Sequence, residues 1–207
     1  MAGKKRLFAA VAALMLALCG CSGEQKLSDM QRVQKTLTEM ETYACEGQLT
    51  RISNKGEKNY GIRQYYKNTG QYRLEMTSPD QVAGNYIVCD GEKIYQYTSQ
   101  GGVLKDVPEQ AQRNELFLGA FIKNYMQSEH VSVAVGNFDE SKCLVLEAHI
   151  PGNNKYLATE KLWVDRETDL PVRLAIYDAG QKERYVVTYD KFVYNEKLSD
   201  AIFEIPQ

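Results

Sequence analysis

From Tyr43 to Tyr97 apolar and polar side chains alternate with a period of two, which commits this part of the chain to a sheet with one covered face. Tyr43, Cys45, Gly47 and Leu49 share one phase. The next run, Asn59 to Lys67, places Tyr60, Ile62 and Tyr66 on one side, and Tyr72, Leu74 and Met76 follow in the same manner. Asn54-Lys55-Gly56 and Asn68-Thr69-Gly70 separate these runs, with residue types that tolerate the positive φ of tight reversals. Three successive antiparallel strands are therefore expected. Ser78-Pro79-Asp80 interrupts them, because proline cannot donate to a ladder. Asn85 to Cys89 and Lys93 to Tyr97 flank Asp90-Gly91, a hairpin signal, and Val103 to Val107 is a candidate sixth strand.

Two stretches change to the helical period. Ser28 with Gln31 three places on forms a capping box, and Met30, Val33, Leu37 and Met40 continue it to about Glu41. Pro108 opens a second helical region, in which Leu116, Phe117, Phe121, Ile122, Tyr125 and Met126 make a broad apolar stripe. Strands resume at His130 to Val135, at Leu144 to Ile150, and at Lys161 to Asp165, Val172 to Tyr177 and Arg184 to Tyr194. Leu198 to Ile205 is a tail expected to pack on the sheet edge. About ten strands with two helices describe an α+β fold: one large curved antiparallel sheet, an open half-barrel, wrapped on an N-terminal helix and an inserted helix.

Ahead of the first helix, Lys4, Lys5 and Arg6 precede an apolar run, Leu7 to Leu18, too short to span a bilayer but of signal-peptide length. The run ends in Leu18-Cys19-Gly20-Cys21, which resembles the lipobox of bacterial lipoproteins. The resemblance implies an acylated Cys21 as the mature N-terminus. Cys19 competes less well, since Leu18 would occupy the small-residue position that Gly20 fills ahead of Cys21. The expected division is a signal peptide over 1–20, a lipidated tether over 21–27 and a single domain over 28–207. Location follows: the extracytoplasmic face of a bacterial membrane, held by N-terminal acyl chains. Without the signal the chain has 22 basic against 27 acidic residues, which argues against nucleic acid as a partner.

Catalytic chemistry is poorly supplied. Cys45, Cys89 and Cys143 lie about forty to fifty residues apart, without metal-ligand rhythm, and read as small buried residues. His130 and His149 are the only histidines. His149 shares a strand face with Cys143 but reads as solvent-facing. Asp165, Glu167 and Asp169 crowd one turn that lacks the glycine and oxygen spacing of a calcium loop. No phosphate-cradling or dinucleotide glycine motif occurs. No enzyme activity and no cofactor are expected. Tyrosine is the distinctive side chain, 14 against 6 phenylalanines. Tyr60, Tyr65, Tyr66, Tyr72, Tyr86, Tyr95 and Tyr97 are the candidate partner-binding residues, because tyrosine joins contact area to a polar tip. Plain β-propensity explains them equally well.

Trp163-Val164-Asp165-Arg166-Glu167-Thr168-Asp169-Leu170-Pro171-Val172-Arg173 resembles the strand-turn-strand of the LolA/LolB superfamily of lipoprotein carriers. Tyr43-Ala44-Cys45-Glu46-Gly47, Arg63-Gln64-Tyr65-Tyr66-Lys67, Tyr72-Arg73-Leu74-Glu75 and the stretch from Leu116-Phe117-Leu118-Gly119 to Asn124-Tyr125 resemble the GerS-type germination lipoproteins of spore-forming clostridia. That family implies a non-catalytic, lipid-anchored domain that binds a cell-wall amidase during spore-cortex modification. Two other readings stay open: a lipid or lipoprotein carrier or acceptor with a lipid ligand, and an envelope sensor.

Overall fold

The computed structural model describes residues 28–105, 107 and 112–204. The expected signal and tether, and Pro108, lie outside them.

Helix α1, Asp29–Thr38, begins at the expected capping box: the Ser28 amide donates to Gln31 Oε1 (2.9 Å) and Ser28 Oγ accepts from the Gln31 amide (3.3 Å). It stops three residues before Glu41, since the chain must become extended for the strand that starts at Thr42. Its Val33 and Leu37 are buried, and Met40 just beyond it joins them.

The strands are β1 Thr42–Ser53, β2 Gly56–Lys67, β3 Gln71–Ser78, β4 Tyr86–Asp90, β5 Ile94–Thr98 and β6 Gly102–Lys105. A 3-10 turn at Asn114–Leu116 and helix α2, Leu118–Gln127, come next. They lead into β7 Ser132–Phe138, β8 Ser141–His149, β9 Thr159–Asp165, β10 Pro171–Tyr177 and β11 Glu183–Tyr194, followed by a 3-10 turn at Asp200–Phe203. All eleven strands form one antiparallel sheet in the order β6-β5-β4-β3-β2-β1-β11-β10-β9-β8-β7. Two meanders are thus joined where the first strand meets the last, with Tyr43 opposite Tyr194 and Leu49 opposite Val187. The edge strands β6 and β7 do not pair with each other, so the sheet stays open. The second helix starts ten residues after Pro108, because Asn114–Leu116 takes the tighter 3-10 form and Arg113 before it has a left-handed φ of 60°.

The inner face carries one core. Cys45, Leu49, Ile62, Leu74, Ile87, Leu146, Leu162, Leu174 and Val187 meet Val33 and Leu37 of α1 and Phe121 of α2. Leu116, Phe117, Leu118 and Phe121 are at most 2% exposed, a burial that contributes about 1.5–3 kcal/mol for each large side chain. Gly119 is required at the crossing of α2 over β2: a Cβ there would stand 2.0 Å from Tyr66 Cζ.

One expectation is corrected. The C-terminal segment packs on a sheet face instead of the edge, because the outer face of β2 to β5 carries aromatic and apolar side chains of its own. Phe203, 1% exposed, lies with Tyr86 and Val88, and Tyr65, Tyr95, Tyr97, Leu198 and Ile202 complete this second cluster.

Candidate functional site

Strand parity splits the seven candidate tyrosines into two groups. Tyr60, Tyr66 and Tyr72 belong to the inner core. Tyr72 Oη donates to Asn114 Oδ1 (2.6 Å), and the Tyr66 ring stacks on Tyr43 with centroids 5.4 Å apart. Tyr65, Tyr86, Tyr95 and Tyr97 stand on the outer face with the C-terminal segment. Tyr86 and Tyr97 stack at 5.1 Å, and the Arg73 guanidinium lies 3.8 Å over the Tyr86 ring. Arg73 is also paired with Glu75 (3.2 Å), and Lys67 with Asp200 (2.5 Å). Tyr86 is buried and Tyr65, Tyr95 and Tyr97 are half-buried around it, an aromatic and cationic group whose composition suits a protein contact.

The inserted helix is held by polar groups inside the core. Gln64, fully buried, accepts at Oε1 from Tyr43 Oη (3.0 Å) and donates from Nε2 to the Leu116 carbonyl (3.0 Å). Tyr43 Oη accepts from the Leu118 amide (3.2 Å). These bonds satisfy backbone groups at the start of α2 that no helical partner can reach. Burial holds the Tyr43 hydroxyl protonated far into the alkaline range. Neither Gln64 nor Tyr43 was singled out as a site from sequence, although Gln64 sits in phase with Tyr60, Ile62 and Tyr66, where a polar residue signals an internal hydrogen bond.

Glu160 is a second buried polar group that sequence reasoning passed over. It shares the inner face of β9 with Leu162 and Val164, and Asn124 Nδ2 donates to its Oε1 (2.8 Å). Its Oε2 has no partner among the described residues, nor has the Tyr189 hydroxyl. Burial pushes the Glu160 carboxyl up to about 7 against the hydrogen bond from Asn124, with the Glu115 carboxylate adding to the rise. Glu115 is itself raised by burial.

Asn124 and Glu115 also line an open cleft of about 1270 Å³ between the tip of the β1–β2 hairpin, one side of α2 from Ala120 to Gln127 and the loop after β8. The cleft is at the end of β9 where Thr159 lies. The other end, at Asp165, receives α1. There Arg166 Nη2 pairs with Asp29 Oδ2 (2.6 Å), Arg32 Nη1 with Asp29 Oδ1 (2.8 Å), and Arg32 Nε with Asp169 Oδ2 (3.1 Å). Hydrogen bonds from Arg32 and Arg166 hold the Asp29 carboxyl below its usual range. Asp165 Oδ1 accepts from the Glu167 and Thr168 amides (2.8 and 2.9 Å). The strand-turn-strand from Trp163 to Arg173 therefore has an observable job in this chain, which is to seat the first helix. Nearby on the outer face, Arg173 lies 4.3 Å over the Trp163 ring and pairs with Glu183 (2.5 Å).

The remaining candidate nucleophiles are poorly placed for chemistry. Cys45, Cys89 and Cys143 are free and buried, and burial raises each thiol above its ordinary value. His130 and His149 are both exposed, with ring centroids 6.0 Å apart in an edge-on arrangement. Cys21 lies outside the described residues. No helix among the described residues is long and apolar enough to cross a membrane.

Comparison with curated proteins finds no match. Among solved structures, an uncharacterized conserved protein from Thermus thermophilus is similar at 16% identity and a TM-score of 0.56, over 86% of this chain and 93% of that one. The structure of the CwlD amidase from Clostridioides difficile in complex with the GerS lipoprotein contains a similar chain. It is 32% identical, with a TM-score of 0.50, over 83% of this chain and 98% of that one. The LolA superfamily protein NE2245 from Nitrosomonas europaea matches at 14% identity and a TM-score of 0.46, over 84% of this chain and 97% of that one. A family model described as "Sporulation protein YdcC-like" matches residues 3–203. The likeness to GerS-type lipoproteins read from Tyr43–Gly47 and Arg63–Lys67 thus agrees with the solved neighbour. The chain belongs to the YdcC-like sporulation protein family.

Proposed function

We propose that this protein is a membrane-tethered, non-catalytic adaptor that binds a cell-wall amidase in sporulation or germination. The observation that carries the proposal is the 32% identity to a chain from the complex of an amidase with a lipoprotein. Packing supports it. The inner face that a lipid carrier would leave open is here filled by Leu116, Phe117, Leu118 and Phe121. The crevice between α1 and α2 is about 260 Å³, below the roughly 300–1,000 Å³ of ordinary ligand pockets. The carrier reading keeps the support of the fold alone. On the adaptor reading the amidase meets the outer side of the sheet around Tyr65, Tyr86, Tyr95 and Tyr97 together with the C-terminal segment packed on them, a surface a partner reaches without displacing α2.

In this reading residues 1–20 are the signal, Cys21 is acylated, 21–27 are the tether and 28–207 the domain. The first described residue, Ser28, begins the helix pinned at the β9–β10 turn, so that end of the sheet faces the membrane. About six tether residues span about 20 Å at most.

Two experiments test these statements. The protein alone is expected to show no hydrolase activity, and mixed with a sporulation amidase of the CwlD type it is expected to elute as a stoichiometric complex; failure to form a complex defeats the adaptor reading. Cys21→Ala is expected to move the protein from the membrane to the soluble fraction, and a variant that still sediments with membranes defeats the anchor.

A further inference from the structure

The cleft at the β1–β2 hairpin end of the sheet is cationic, although the chain has a formal net charge of −2. Six of its lining side chains are basic, and one, Glu115, is acidic. Arg184 is paired with Asp178 (2.6 Å), and Arg113 faces Glu115 at 4.0 Å. Arg51, Lys55, Lys58 and Lys123 are exposed and form no ion pair among the described residues. Like charges gathered around one concavity repel each other, and a bound anion relieves that repulsion.

The walls between the cations narrow the class of anion. Asn54, Asn124, Asn153 and Asn154 line the cleft; Asn124 gives one donor to Glu160 and Asn154 Oδ1 accepts from the Tyr156 amide, and the donors and acceptors that remain are the complement of hydroxyl and amide groups. Tyr156 and Tyr185 add aromatic rings to the same walls, which suit the apolar faces of sugar rings. Simple phosphate polymers would use the cations and the carboxamide N–H donors but leave the carboxamide oxygens without donors. The volume, about 1270 Å³, exceeds that of a small-molecule pocket, roughly 300–1,000 Å³, and the cleft is open, so it fits a segment of a longer strand.

We infer that this cleft binds a carboxylate-bearing glycan strand, its acids held by Arg51, Lys55, Lys58 and Lys123 and its hydroxyl and amide groups by the asparagines. The site stands at the opposite end of β9 from the start of α1. Seven residues at about 3.3 Å each put it about 20 Å further from the end that seats α1. Given the tether proposed above, it faces away from the membrane. The chemistry of the cleft does not depend on the tether.

The test uses the full chain in detergent, sedimented with insoluble cell-wall glycan from which phosphate polymers have been removed by acid. Chitin, a neutral glycan, and immobilised polyphosphate are the comparisons. Co-sedimentation with the acidic glycan, weak binding to chitin and loss in high salt are expected. K55Q/K58Q/K123Q, which keeps side-chain length, is expected to bind about tenfold more weakly, as the loss of three exposed charge contacts predicts. Its thermal midpoint and amidase binding should be unchanged. Equal binding to chitin, binding to polyphosphate alone, or an unchanged triple variant overturns the inference. So does loss of amidase binding in that variant, which would reassign the cleft to the amidase. Glycan binding by a protein that binds no amidase supports the cleft and defeats the adaptor reading. Should the triple variant fold poorly, K58Q and K123Q are measured singly, and undiminished binding by both overturns the inference.

Discussion

Gln64→Leu is expected to lower the thermal midpoint by about 10 °C and to loosen residues 114–127 before the rest of the domain. The substitution nearly conserves volume but leaves the Tyr43 hydroxyl and the Leu116 carbonyl, both inside the core, without their partner. A buried polar group deprived of its hydrogen bond costs about 1–3 kcal/mol, so two cost roughly 3–4. In a domain of this size 1 kcal/mol moves the midpoint by about 2–4 °C. Because the lost Gln64–Leu116 bond ties the segment that leads into α2 to β2, hydrogen exchange should quicken in that segment first. Tyr43→Phe alone should also destabilise, and the double variant should lose less than the sum of the two, since both ends of one bond are then gone. A midpoint within 2 °C of the parent, or strictly additive losses, would show that these bonds do not hold the helix.

The second large effect depends on pH. Glu160 has a carboxyl pushed up to about 7 in the folded protein from an ordinary 4.5. Between those values the folded state binds a proton that the unfolded state has released, so stability falls as pH rises through this window and levels off above it. The difference corresponds to roughly 3 kcal/mol between pH 4.5 and pH 8. The groups disposed toward Glu160 are Asn124 of α2, Glu115 of the preceding turn and Tyr189 of β11. Glu115 is raised by burial and adds to the same slope. Glu160→Gln keeps the acceptor for Asn124 and removes the charge. It is expected to be more stable than the parent at pH 8, nearly equal at pH 5, and flatter across the range. Denaturant unfolding at the two pH values measures this; an unchanged slope in the variant would place the titration elsewhere.

These two residues also mark what a reader of the sequence alone can find. Gln64 and Glu160 are polar side chains in phase with apolar ones, Ile62 and Tyr66 in one strand, Leu162 and Val164 in the other. The signal was local and could have been taken as a prediction of two internal hydrogen bonds. Their partners could not: Leu116 and Asn124 lie 52 and 36 residues away. The tyrosines teach the same lesson. Adjacent Tyr65 and Tyr66 must point to opposite faces, which parity states outright, but only the path of the C-terminal segment shows that Tyr65 is covered by Phe203 and its neighbours while Tyr66 meets Gly119.

Short-range physics was therefore enough for the strands, their reversals at Asn54–Gly56, Asn68–Gly70 and Asp90–Gly91, the capped start of α1 and the α+β class, because each depends on residues a few positions apart. The pairing of β1 with β11, the burial of Gln64 and Glu160 and the cationic cleft were decided by the tertiary structure. Arg51, Lys123 and Asn154 are separated by 72 and 31 residues in sequence and share one cleft. They meet because the sheet curves and α2 crosses it, and no local pattern of side chains encodes that meeting.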